Sequence, residues 1–178
     1  MIEREHVVAA ILEAAGGRLI GRVRFQKTAY FLDLFGLGSP FRYEYHHYGP
    51  YSRDLDNAIL DAQAFDYAKE ERHHRQTDGA AYSVFKTGKK PAPAGVLGDL
   101  DPGKASELVQ RFAGTNLTVL ELAATVDWLW RHEHISHWRD EITRRKGVKV
   151  GNGRLDQAAE LLRSIGLPPP DSEPAPKG

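Results

Sequence analysis

Eight histidines give this 178-residue sequence its clearest means of binding a metal or moving a proton near neutral pH. His132 and His134 flank Glu133, and His137 follows one helical turn after His134. His46-His47 and His73-His74 add two adjacent pairs. A zinc-hydrolase helix needs His-Glu-x-x-His, and here the residue four after His132 is Ser136. With no carboxylate at a matching spacing, no metal ligand is assigned. A histidine-metal hydrolase is the least favoured of three readings. The sequence has no phosphate-cradling glycine loop and no Gly-x-Ser-x-Gly elbow. It has no cysteine, which excludes a thiolate nucleophile, a zinc-thiolate site and a disulfide framework. Catalytic residues: none; cofactors: none; the chain is expected not to be an enzyme.

Two short polar motifs stand inside apolar surroundings. Gln26 and Lys27 precede Tyr30 by four and three residues, so on a helix both share its face. Tyr48-Gly49-Pro50-Tyr51-Ser52 is a strand-to-helix corner: Pro fixes one torsion, Gly permits an unusual one, and Ser caps a helix. Gln26 or Lys27 is expected to hydrogen-bond a group between Tyr45 and Ser52, because a buried polar group needs a partner. A pocket that grips a partner's main chain or an anion is the functional alternative for the same residues.

Charge sorts the possible partners. Lys plus Arg and Asp plus Glu both total 24, so binding nucleic acid by bulk charge is excluded and only local patches remain. Arg53 is followed by Asp54, Asp56 and Asp61, an acidic helix face expected to point outward toward a basic protein partner. The sites left for nucleic acid are Arg22, Arg24, Arg72, Arg75, Lys86, Lys89, Arg144 and Arg145. Their convergence on one face would favour a DNA-binding regulator; their dispersal would leave a solvated surface.

The elements that must position these residues follow from periodicity. Apolar spacing predicts helices over 3–15, 23–35 and 53–66, then strands over 67–75 and 80–87 around Asp78-Gly79. A strand is expected over 41–48, and a Gly/Pro/Lys-rich loop over 86–102. Helices follow over 104–112, from Thr118, from Ser136 and after Gly153, with Thr118 and Glu121 as a capping box. The expected fold class is α+β, mainly α. A winged-helix-like half with a β-hairpin, residues 1–91, packs on a helical half, residues 103–166, in one domain over 1–166. Residues 167–178, rich in proline, are expected to be a disordered tail. The expected core is Val8, Ile11, Leu12, Phe31, Leu34, Leu55, Ile59, Phe65, Leu122, Val126, Leu129, Leu162 and Ile165. No apolar run reaches the roughly 20 residues of a membrane helix, and the first residues do not read as a signal peptide, so a cytoplasmic protein is expected.

Arg24-Phe-Gln-Lys-Thr-Ala-Tyr-Phe-Leu32 and Tyr45-His-His-Tyr-Gly-Pro-Tyr-Ser52 together resemble the YwgA-like proteins and the Panacea domain of SocA-type antitoxins. Leu120 to Leu129 and Arg144-Arg-Lys146 are similar to the C-terminal half of that group, and the resemblance covers about residues 3–166. Thr28 stands where the group commonly has Leu. The resemblance implies a non-enzymatic bacterial interaction protein, antitoxin-like or an accessory factor of a toxin or defence system. Its expected partner is another protein of that system, with DNA as the alternative and no membrane involvement.

Overall fold

The computed structural model describes residues 2–170. The element order is α1 (Arg4–Ala14), β1 (Arg18–Ile20), α2 (Arg22–Leu34), β2 (Glu44–His46), β3 (Gly49–Tyr51), α3 (Arg53–Ala64), β4 (Ala68–His74) and β5 (Ala81–Thr87). Then follow α4 (Pro102–Ala113), α5 (Leu117–Arg131), α6 (Trp138–Lys146), the 3-10 turn η1 (Gly147–Val150) and α7 (Arg154–Ser164). The class is α+β, mainly α.

The chain divides into two compact units. The first holds residues 1–44 and 51–115; the second holds 45–50 and 116–178. In the first, β1, β5 and β4 form an antiparallel sheet in that order, with Leu19 and Glu70 opposite Phe85. β1 was not legible as a strand because three residues show no alternation. Val7, Val8, Ile11 and Leu12 of α1 are buried with Phe25, Phe31 and Leu32 of α2 and Leu55 and Ile59 of α3. The Phe25 ring meets Phe85 edge-on at 5.4 Å, and Phe31 stacks on Phe112 of α4 at 5.0 Å. Burial of such rings and aliphatic side chains is the main force holding these elements together.

Two core expectations fail here. Phe65 is 52% exposed, because α3 stops at Ala64 and Asp66 turns the chain at φ +65°. Leu34, in the last turn of α2, is half-buried.

In the second unit α5 is buried through Val119, Leu120, Leu122, Val126 and Leu129. Trp138 and Ile142 of α6, and Leu161 and Leu162 of α7, are buried in the same unit. The Thr118–Glu121 capping box is absent. Asn116 caps α5 instead, its carbonyl oxygen accepting from the Thr118 and Val119 amides at 3.0 and 3.2 Å. Ser136 caps no helix either: α6 starts after His137 with no side-chain cap. Residues 171–178 of the expected tail lie outside the described residues. No helix among them is long and apolar enough to cross a membrane.

Candidate functional site

The strand-to-helix corner is built in two pieces. In the first unit, Gln26 is 4% exposed and clamps the backbone of Ser52: its Nε2 donates to the Ser52 carbonyl and its Oε1 accepts from the Ser52 amide, both at 2.8 Å. Nε2 also donates to Asp56 at 3.0 Å, and the Tyr51 hydroxyl donates to the same carboxylate. Ser52 caps α3 by accepting from the Leu55 amide. Lys27 is fully buried, and the Tyr30 ring lies edge-on to Tyr43 at 5.2 Å. Gln26 thus fixes the start of α3.

The acidic face of α3 is not the free strip expected. Asp54 accepts from the Arg42 amide and guanidinium at 3.0 and 3.3 Å, and these bonds hold its carboxyl below the usual range. Asp56 is taken by Gln26 and Tyr51, and Asp61 pairs with Arg4 at 2.6 Å. The α3 residues that stand out in solvent are Arg53, Asn57, Leu60 and Ala64. Sequence alone missed this because Arg4 and Arg42 lie far from α3 along the chain.

The basic residues proposed for nucleic acid are also scattered over partners. Arg22 forms a fork on Glu70 at 2.8 and 3.0 Å. Arg24 donates to the Phe112 and Thr115 carbonyls, and burial pushes its guanidinium down. Arg75 pairs with Asp78, and Lys86 with Glu71. Arg72 and Lys89 are exposed. These six residues all belong to the first unit.

The last two, Arg144 and Arg145, belong to the second unit, where polar groups do converge. A cleft of about 480 Å³ is lined by Tyr45, His46, His47, Arg145 and Lys146. The hairpin tip, residues 45–50, forms one wall. Its turn fits because Gly49 adopts φ +84° and lies so close to α5 that a Cβ there would stand 2.3 Å from Thr125 Oγ1. Only glycine meets both demands. Lys146, 4% exposed at its side chain, donates to the His47 carbonyl at 2.6 Å and to Glu121 at 2.9 Å. Glu121 is itself 5% exposed and also accepts from Lys149 at 3.0 Å.

Arg145 is held flat by two carboxylates: Glu133 takes two of its N–H groups at 2.9 and 2.8 Å, and Glu141 takes its Nε at 2.7 Å. Its guanidinium lies 4.9 Å from the Tyr45 ring centroid, and Lys149 Nζ lies 5.0 Å from that of Tyr48. Arg144, then Arg145, pull the Glu141 carboxyl down to about 2, and Arg145 lowers Glu133. The hydrogen bonds to Glu133 raise Arg145 in turn. Glu133, Glu141, Arg144 and Arg145 are therefore charged at neutral pH. At the edge of the cleft the part-exposed Lys149 can hold an anion beside the Tyr48 ring.

The histidines do not gather. His132 stacks on Trp128 at 4.0 Å, and burial lowers its pKa. His73 lies against Tyr82, and His6 against Tyr67. Among the described residues no three His, Asp or Glu side chains are placed to hold a metal ion.

An α+β, mainly α chain with a cleft lined by Tyr45, His46, His47, Arg145 and Lys146 is thus the class that fold and site define. The chain is 32% identical over 142 residues to a DNA ADP-ribosyl glycohydrolase of Thermus aquaticus. The match takes in 73% of this chain and 37% of that protein, so the chain spans little more than a third of its relative. No family model matches the chain.

This relative corrects the expectation of a non-enzymatic, antitoxin-like interaction protein, since the relative is named for a hydrolytic activity. The expectation rested on the resemblance to the YwgA-like and Panacea proteins and on the lack of a known catalytic motif in the sequence, and a missing motif does not exclude an enzyme. Nor do the comparisons attach the chain to winged-helix regulators or to the YwgA-like and Panacea proteins.

Proposed function

We propose that this chain serves the hydrolytic removal of ADP-ribose from DNA, and that the cleft of the second unit holds the modified strand. The similarity to the glycohydrolase of Thermus aquaticus carries this reading. The edge of the cleft supports it by its chemistry, since the part-exposed Lys149 beside Tyr48 offers a cation to a phosphate and a ring face to a base.

In the reaction, water adds at the anomeric carbon of the ribose and the bond to DNA breaks. The DNA takes up a proton as it leaves. Such bond cleavage passes through a cationic, oxocarbenium-like state that a carboxylate stabilises. Glu133 and Glu141 are carboxylates at neutral pH, so neither is a proton donor there. Both are already matched by arginine, which makes positioning the role of the cleft. A cytoplasmic location goes with a DNA substrate.

The test is incubation of the purified chain with an ADP-ribosylated oligonucleotide. The expected result is retention of the oligonucleotide and release of ADP-ribose, followed by mass. A chain that releases no ADP-ribose would overturn the proposal.

A further inference from the structure

The charges around the cleft are unequal. Four cations, Arg144, Arg145, Lys146 and Lys149, meet three carboxylates, Glu121, Glu133 and Glu141. Arg145 is matched twice over, by Glu133 and Glu141. Arg144 shares Glu141. Lys146 is buried and satisfied by Glu121 and the His47 carbonyl. Glu121 thus spends its single charge on a buried lysine that needs it most, because an unpaired buried ammonium is costly. Lys149 leans on the same carboxylate, with its side chain 38% exposed. It carries the surplus positive charge of the cluster.

Lys149 is also held in place. Its Nζ is fixed by Glu121 and lies 5.0 Å from the centroid of Tyr48, whose residue is 53% exposed. A surplus ammonium fixed beside an accessible phenol ring matches a planar base joined to a phosphate. Arg145 offers no such vacancy, since both edges of its guanidinium are occupied.

From this arrangement we infer that Lys149 and Tyr48 form a one-nucleotide subsite, with the phosphate on Lys149 and the base stacked on Tyr48. The inference rests on the reading of the chain as acting on DNA and names the residues that grip the strand. A base inside a duplex has no free face to offer, so the subsite takes an unstacked nucleotide.

The test is fluorescence anisotropy with an unmodified, labelled 12-residue oligonucleotide, single-stranded and as a duplex, from 50 to 200 mM salt. Tyr48→Ala is expected to weaken single-strand binding about tenfold, within the range for losing one stacked base, without changing the salt slope. Tyr48→Phe keeps the ring and restores binding. Lys149→Gln is expected to flatten the slope by about 0.7, the contribution of one single-strand phosphate contact. Variants that bind as wild type does, or a wild type that prefers the duplex, would overturn the subsite.

Release of ADP-ribose, measured in parallel, separates the two ideas. Release by a wild type whose DNA binding ignores both residues removes the subsite and leaves the function. Binding that depends on both residues without any release keeps the subsite and removes the function. Circular dichroism of each variant excludes loss of fold as the cause.

Discussion

Removing the Glu121 carboxylate should destabilise the second unit more than any exposed charge in it. Glu121 and Lys146 are 5% and 4% exposed, and their charged atoms are 2.9 Å apart. In Glu121→Leu the Lys146 ammonium stays buried with the His47 carbonyl as its remaining acceptor, and Lys149 loses its anchor. Breaking a buried pair on one side costs about 3–5 kcal/mol, because the partner charge is left without compensation. For a chain of this length each kcal/mol shifts Tm by about 2–4 °C, so a fall of roughly 6–20 °C is expected. The double variant Glu121→Leu, Lys146→Met removes both charges and should recover much of the loss. Thermal unfolding followed by circular dichroism, closed as a double-mutant cycle, gives the coupling. A loss under about 1 kcal/mol for Glu121→Leu, or a double variant worse than the sum of its parts, would refute the argument. The pair would then behave as a solvated one.

Three further outcomes are expected. Gly49→Ala should cost at least about 2 kcal/mol, from a left-handed backbone and the clash with Thr125, and Thr125→Ala in the same chain should return the clash portion. Gln26→Leu leaves the buried Ser52 amide without its acceptor, while the Ser52 carbonyl keeps the Asp56 amide, and should cost about 1–3 kcal/mol, read from urea unfolding. His132 has its folded pKa below the unfolded value because burial opposes its charge, so its neutral form is favoured in the native state. Stability should therefore fall as pH drops through the unfolded value near 6.5, and His132→Gln should flatten unfolding midpoints taken between pH 5 and 7.5.

The fold was readable wherever the pattern is local. The β4–β5 hairpin announces itself through Asp78-Gly79 between two runs of strand formers, and α1 to α3 through their periodic apolar stripes. A bond from Gln26 or Lys27 to the segment 45–52 was legible because a buried polar residue demands a partner, and the structure places it between Gln26 and Ser52. The cleft was not legible. Its members come from the hairpin tip near residue 47, from α5 and from the end of α6, and nothing in the spacing of Glu121 to Lys146 links them. The capping box shows the same limit. Thr118 and Glu121 have the required spacing, but Glu121 gains more from two lysines than from a backbone amide already near solvent, and Asn116 takes over the cap.

Counting charges along a chain and finding surplus charge in a fold are different operations. Arg144, Arg145, Lys146 and Lys149 read as one basic run, yet the structure separates them into a doubly matched guanidinium, a guanidinium sharing one carboxylate, a buried ammonium and one exposed ammonium beside a ring. The acidic run Asp54, Asp56 and Asp61 dissolves in the same way, each carboxylate going to its own partners. What remains available for a partner is decided by desolvation. A carboxylate goes first to the cation that is most costly to bury alone, and the cation left at the edge keeps its charge for a ligand. On that ground Lys149, which no motif marks, is a stronger candidate contact than the arginines that stand out in the sequence.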